Sequence, residues 1–274
     1  MVSVVIPTYN RIKFLKHATD SVLAQTYKDF ELIIVDNGST DNTYELISQY
    51  HDSRIRYIKQ ENKGPGTARN RGIKESRHNI VAFLDDDDCW DGEKLHIQLN
   101  EMQQDPSCLI SHTQELWYRD DKLLNQKKKH KKQHGYIFDK CLSTCIVSMS
   151  TAMVRKELFA KIGLLDETLP CCEDYDFWLR ASVNHEFLLI DKPLTQKDGG
   201  RPDQLSFIHA TGIDKFRIES IVKLLKSDKL DNEQHDLALD ELRKKCKIYG
   251  KGCLKHGRPE EASHYLEFFQ EDLK

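Results

Sequence analysis

The chain has 274 residues, of which 39% are apolar and 31% charged, with a formal net charge of −3. That composition can bury a sizeable core, in one large domain or a main domain with a small appendix, and it excludes wholesale disorder. The charge balance gives no global attraction to nucleic acid or anionic lipid, so no nucleic-acid partner is expected and any such contact must be local.

In chain order, "SVVIP" (3–7) is a short β-branched run stopped by Pro7 and reads as a buried strand. Asn10 can then cap a helix whose apolar face is Phe14, Leu15, Ala18, Val22 and Leu23. "FELIIVDNGSTDNT" (30–43) is a second buried strand ending in a polar turn, with Asp41 placed to cap the next helix. "IRYIKQ" (55–60) is a third strand, and "GPGTARNRGIKES" (64–76) is a Gly-rich turn entering a basic helix. "IVAFL" (80–84) is a fourth strand. Strands alternating with helices at this spacing predict an α/β fold, a mostly parallel sheet sandwiched by helices. Ligands of such sheets bind at the carboxyl ends of the strands, which puts Thr8 to Asn10, Asp36 to Ser39 and Asp85 to Asp88 along one rim.

Beyond residue 106 the pattern loosens. "LISHTQELWYR" (109–119) alternates like a strand, and "QKKKHKKQHG" (126–135) is a basic loop. "IVSMSTAMVRKELFAKIG" (146–163) reads as strand then helix. "CCEDYDFWLRASV" (171–183) is a helix with Phe177, Trp178 and Ala181 toward the core and Glu173 and Asp174 in its first turn, where acids are favoured. "EFLLID" (186–191) is a strand, followed by the Gly-rich "QKDGGRPDQLS" (196–206). From about 213 the chain is purely helical and amphipathic, suited to packing on the preceding domain or on a second copy in a homodimer.

Four consecutive acids, Asp85 to Asp88, follow the fourth strand. Like charges about 4 Å apart near a protein surface repel by ~4 kcal/mol. The run is therefore either a solvated loop, with Asp88 or Asp91 capping the helix that begins near Glu93, or a seat for a cation. If extension persists past the strand, Asp85 and Asp87 point one way and Asp86 and Asp88 the other. All-oxygen ligands suit Mg²⁺ or Mn²⁺, which proteins hold by one or two carboxylates plus substrate phosphates. Asp36 can accept from a ribose or a base N–H, or close an Asx turn with Asn37 and Gly38. Arg69 and Arg71 are either surface arginines or phosphate contacts. The run 127–132 is a solvated loop or a contact for an anionic acceptor or membrane surface.

Eight cysteines with no CxxC pair read as reduced thiols of a cytoplasmic protein. "MVSVVIPTYN" lacks the basic start of a signal peptide. No apolar stretch approaches the roughly 20 residues that span a bilayer, so work at a membrane would be peripheral, at its inner face.

Taken jointly, "VSVVIPTYNR", "ELIIVDNGSTDNT", "NKGPGTARNRGI", "VAFLDDDDCWDGEKL" and "CCEDYDFWLR", in this order and at these separations, resemble the family 2 glycosyltransferases of GT-A fold. The resemblance covers roughly residues 1–210. It implies a catalytic domain over 1–210, with a nucleotide-binding half (1–105) and an acceptor half (106–210), before a C-terminal helical extension (211–274). It implies a nucleotide-sugar donor, commonly a UDP-sugar, a divalent metal (Mn²⁺ or Mg²⁺), inversion at the anomeric carbon, and a glycan or lipid-linked acceptor in cell-surface polysaccharide synthesis. Residue by residue, Pro7, Thr8, Tyr9 and Asn10 match the donor-base loop, with Tyr9 able to stack on a nucleobase. Asp36 matches the acid that reads the base, and Arg69 the basic residue near the nucleotide. Asp85 and Asp86 would face ribose and sugar, and Asp87 the metal. Asp174 matches the catalytic base, with Glu173 as its neighbour. The family's usual His near the Gly-rich stretch is missing. Lys197 or Arg201 could bind diphosphate instead, and His209 is a more distant candidate. A sugar nucleotidyltransferase shares the architecture but needs a Gly-rich, Arg/Lys-containing loop after the first strand, which "PTYNR" does not supply. A glycan-binding scaffold with a degenerate transferase domain would not need acids at both sites.

Overall fold

The computed structural model describes residues 1–119, 122–127 and 130–271. Nine strands form one sheet: β1 (Val2–Thr8), β2 (Phe30–Asp36), β3 (Ile55–Lys59), β4 (Ile80–Phe83), β5 (Asp88–Trp90), β6 (Ile110–Arg119), β7 (Lys122–Leu124), β8 (Met153–Arg155) and β9 (Phe187–Asp198). Their spatial order is β3-β2-β1-β4-β8-β6-β9-β5, with β7 paired to β6. Strands β1, β2, β3 and β4 are mutually parallel, and β6 and β9 run with them. Short β8, β5 and β7 run against their neighbours.

The helices are α1 (Ile12–Leu23), α2 (Thr43–Ser48), α3 (Pro65–Glu75), α4 (Lys94–Gln104), α5 (Phe138–Ser143), α6 (Lys156–Ile162), α7 (Glu173–Ser182), α8 (Leu205–Ile208), α9 (Ile213–Leu225), α10 (Asn232–Lys255) and α11 (Pro259–Glu271). Alternation along β1 shows how the layers form. Val2, Val4 and Ile6 join a core with α1, α2 and α4, while Val5 faces the opposite core with α3. That second core continues through α5, α6 and α7 into Ile218, Ile221 and Leu224 of α9 and Leu242 and Cys246 of α10. The C-terminal helices thus pack into the same apolar cluster as Phe177 and Trp178. Among the described residues no helix is long and apolar enough to cross a membrane.

Gly72 explains how closely α3 sits on the sheet. A Cβ there would lie 2.2 Å from Val5 Cγ1, so only glycine allows this approach. Three residues earlier on the same helix is Arg69.

Helix starts differ from expectation. Asn10 does not cap α1. It takes a left-handed conformation (φ 53°), and its Oδ1 accepts from the Thr40 N–H at 2.7 Å. Asp41 serves both helices instead: its Oδ2 accepts from Ile12 N at 3.2 Å and its Oδ1 from Thr43 N at 3.2 Å. One carboxylate thereby ties the loop after β1 to the loop after β2.

Candidate active site

The carboxyl ends of β1, β2 and β4 meet, as the parallel register requires, with Thr8 opposite Asp36. The chain does not continue extended after β4. It turns, with Asp88 N–H donating to Asp85 C=O at 3.1 Å, before β5 begins. The turn replaces the strand alternation expected of the four acids. Asp86 and Asp87 share Arg11, whose Nη1 lies 3.3 Å from Asp86 Oδ1 and 3.0 Å from Asp87 Oδ2. Asp85 and Asp88 share Lys197, whose Nζ is 4.0 Å and 3.0 Å from them.

The repulsion in the run is offset by the chain's own cations. Arg69 Nη2 is 2.7 Å from Asp85 Oδ1, and Arg201 Nη2 is 2.6 Å from Asp87 Oδ2. Gln204 adds an N–H to the same Asp87 oxygen at 3.2 Å, and Thr8 donates to Asp86 Oδ2 at 2.8 Å. Burial opposes ionisation of Asp85, but Arg69 and Lys197 outweigh it and hold the carboxyl below its ordinary value. Asp86 has the opposite balance: burial and the neighbouring Asp87 push it up to about 7 against the pull of Arg11. Asp88 is not the turn or cap residue its place in an acidic run suggested. It is a buried strand residue that accepts from Ser150 Oγ at 2.5 Å, and burial pushes it up to about 8.

The second acidic group enters from α7. Glu173 is buried and paired with Arg69 Nη1, so this one guanidinium joins the acid run to the start of α7. Burial pushes Glu173 up to about 7 despite Arg69. Asp174 is only half-buried. Its Oδ1 accepts from the Tyr175 N–H at 2.7 Å and its Oδ2 from the Cys145 thiol at 3.2 Å.

At the other end of the rim Tyr9 is 45% exposed, beside half-buried Pro7. Asp36 is buried. It accepts from Ser39 N at 2.7 Å and from the Tyr57 hydroxyl, which closes the turn through Asn37 and Gly38 (φ 88°). Lys197 and Arg201 both reach the acids. His209 does not join them among the described contacts, and its ring stacks edge-on against Phe216, centroids 5.8 Å apart.

The chain belongs to glycosyl transferase family 2. The profile of the family described as Glycosyl transferase family 2 matches residues 3–163. A Rickettsia felis protein described as an "Uncharacterized glycosyltransferase" is 38% identical over 202 residues, 71% of this chain. The alignment spans 32% of that relative, about a third of its length. The crystal structure of S. aureus TarS 1-349 in complex with UDP-GlcNAc superposes with a TM-score of 0.66 at 16% identity, over 98% of this chain and 91% of that one. Mannosyltransferase PcManGT from Pyrobaculum calidifontis, in complex with GDP-Man and Mn²⁺, superposes with a TM-score of 0.68 at 16% identity, over 99% of this chain and 76% of that one. The sheet and its flanking helices are the GT-A fold of these glycosyltransferases.

Within the family 2 frame, two charged residues were not visible as site residues in the sequence. Arg11 sits at the end of "PTYNR" and looks like a helix-start surface arginine until the fold brings Asp86 and Asp87 to it. Lys132 lies in a basic run that reads as solvated, yet it is buried. Its Nζ is 3.4 Å from Glu115 Oε1 and donates to Ile146 C=O at 3.1 Å. Lys127 and Lys131 are exposed, as expected of that run, while Lys128 and Lys129 lie outside the described residues.

Proposed function

We propose that the chain is an inverting glycosyltransferase that moves a sugar from a nucleoside-diphosphate donor, a UDP-sugar, to a hydroxyl of a glycan or glycolipid acceptor in cell-surface polysaccharide synthesis. The observation that carries this is the junction at Arg69. It holds two chemically separate carboxylate groups, Asp85 at the end of β4 and Glu173 beside Asp174 at the start of α7, against one side of the rim. A direct transfer needs both. One group would hold a cation against the negative charge of a leaving diphosphate, and another must take a proton from the attacking hydroxyl.

In this reading residues 1–210 form the catalytic unit, with 1–105 holding the donor and 106–210 the acceptor, and 211–274 a supporting helical extension. Tyr9 stacks on the base, with Pro7, Thr8 and Asn10 shaping its loop, and Asp36 orders the turn that meets it. Asp85 and Asp86 face ribose and sugar. The acceptor oxygen attacks the anomeric carbon as the bond to the diphosphate oxygen breaks. The electron pair leaves with the nucleoside diphosphate, and Asp174 takes the hydroxyl proton. Attack from the face opposite the leaving group inverts the centre.

The residues fit a divalent cation of the Mg²⁺ or Mn²⁺ type. The donor set is all oxygen, and Asp87 uses Oδ2 for Arg11, Arg201 and Gln204 while its Oδ1 takes none of these bonds. Asp87 would hold the ion together with donor phosphates. When bound, it stabilises the negative charge that builds on the leaving diphosphate. In this reading Lys197 and Arg201 turn from the acids to the diphosphate. Membrane contact through exposed Lys127 and Lys131, and pairing of two copies through exposed Leu237 and Ile248 of α10, belong to the same reading.

Calorimetric titration with UDP tests the metal assignment. Asp87→Ala is expected to weaken UDP binding at least tenfold in Mn²⁺ and little in EDTA. Equal Mn²⁺-dependent affinity in variant and wild type would remove Asp87 from the metal site.

A further inference from the structure

Of the three tryptophans, Trp90 (5% exposed) and Trp178 (1%) are core residues. Trp117, on β6, is half-buried and belongs to neither apolar core. Its indole is nonetheless held in place. Nε1 donates to Glu115 Oε1 at 2.8 Å, and the ring lies against His130 with centroids 5.0 Å apart. Glu115 is itself fixed. The same oxygen accepts from Ser148 Oγ at 3.1 Å and faces Lys132 Nζ at 3.4 Å, while buried Oε2 has no hydrogen-bond partner among the described residues. Burial opposes the charge on Glu115, and Lys132 and Lys197 outweigh it. A large aromatic ring outside the core, anchored through its N–H and partly open to solvent, is the arrangement of a binding platform rather than of packing.

Its position says what would bind. In the sheet register Trp117 is opposite Lys197, and Lys197 is opposite Asp88. Directly paired residues project from the same sheet face, so indole, ammonium and carboxylate form one row, its ends about 10 Å apart. Lys197 also faces Asp85. The segment 145–148 links this row to the second acidic group: Cys145 donates to Asp174 at 3.2 Å, and Ser148 to Glu115 at 3.1 Å. Trp117 therefore lies one strand from Lys197 and two from Asp88, on the face of the sheet that carries both, while exposed Tyr9 lies at the β1–β2 end of the rim.

Resting on the donor reading above, we infer that Trp117 is the stacking platform of a pyranose subsite and that Glu115 is its positioning residue. A pyranose has one face of C–H bonds and a rim of hydroxyls. The C–H face suits the negative face of the indole, and the hydroxyls suit Lys197 and Asp85. The transferred sugar and the acceptor glycan share this chemistry, and the test below separates the two sources.

The test uses the full chain, Trp117→Ala, Trp117→Phe and Glu115→Gln. UDP, UDP-GlcNAc, UDP-glucose and GDP-mannose are titrated by calorimetry and tryptophan emission. Methyl pyranosides are titrated alone and over saturating UDP. Wild type should bind at least one sugar ligand with a saturable change in emission that Trp117→Phe abolishes. Affinity for that ligand should fall at least tenfold in Trp117→Ala, less than threefold in Trp117→Phe and by an intermediate factor in Glu115→Gln. Binding of UDP without sugar should be equal in all four proteins, which separates lost stacking from a damaged fold. A response confined to nucleotide sugars assigns the subsite to the transferred sugar, and one confined to methyl pyranosides over UDP assigns it to the acceptor. Either supports the platform. Unchanged sugar affinity in Trp117→Ala overturns it. If no nucleotide binds wild type while methyl pyranosides alone still change Trp117 emission, the donor reading fails and the platform stands.

Discussion

Lys94 carries an ammonium group to the interior, and its cost is measurable. The side chain is fully buried on α4, donates to Gln98 Oε1 and to Thr151 C=O at 3.3 Å, and lies 4.8 Å from the centre of the Trp90 ring. Burial, helped by Lys132, lowers it from 10.5 to about 7. A base whose folded value lies below its unfolded value contributes full stability above the unfolded value and loses it as pH falls through the folded one. Relative to Lys94→Met, which has no such titration, the wild type should therefore gain about 2 kcal/mol between pH 7 and pH 9. Urea melts of both proteins at the two pH values measure this, and parallel profiles would contradict it. At this scale the sequence is least informative about charge. Lys94, Lys132 and Asp88 look like solvent groups because their partners (Gln98 apart) lie in strands and turns far along the chain. The positions of Asp85 and Asp174 in the fold are easier to read, because one follows a recognisable strand end and the other opens a recognisable helix.

Element by element, legibility depends on strand length and burial. The first four strands are apolar, β-branched runs, the first three each followed by a helix, and the chain announces them. β5, β7 and β8 are three residues each, too short to show a period, and β5 opens on an aspartate whose charge is answered by Lys197 of β9. β9 continues through Pro193, where its pairing with β6 shifts register, so only its first half reads as a strand. The seating of α3 can be tested directly. Gly72→Ala improves helix propensity by up to ~1 kcal/mol, but its methyl meets Val5 and overpacking costs about 1–3 kcal/mol. A net loss of stability is expected with Val5 in place and no such loss in a Val5→Ala background, where the added methyl has room. A more stable Gly72→Ala protein would mean that α3 does not rest on β1 as described.

Over the whole molecule, the rim is assembled from residues as far apart as Thr8 and Gln204, and four of the chain's own cations hold its acids. Arg11, Arg69, Lys197 and Arg201 come from α1's approach, α3, β9 and the loop before α8. The fold could be read from the order of the motifs, because each strand end contributes one polar turn to the same edge. The internal neutralisation could not, because it depends on how the sheet curls β9 and β5 back toward β4. The arrangement leaves Asp174 as the half-buried carboxylate of the second group, held by the Tyr175 amide and Cys145, while Glu173 is committed to Arg69. The decisive measurement is sugar transfer from UDP- and GDP-sugars to a glycan acceptor in Mn²⁺ by wild type and Asp174→Asn. The account predicts transfer by wild type and a loss in kcat on the order of 10²–10⁴ in the variant, with donor binding retained. Full transfer by Asp174→Asn would contradict it.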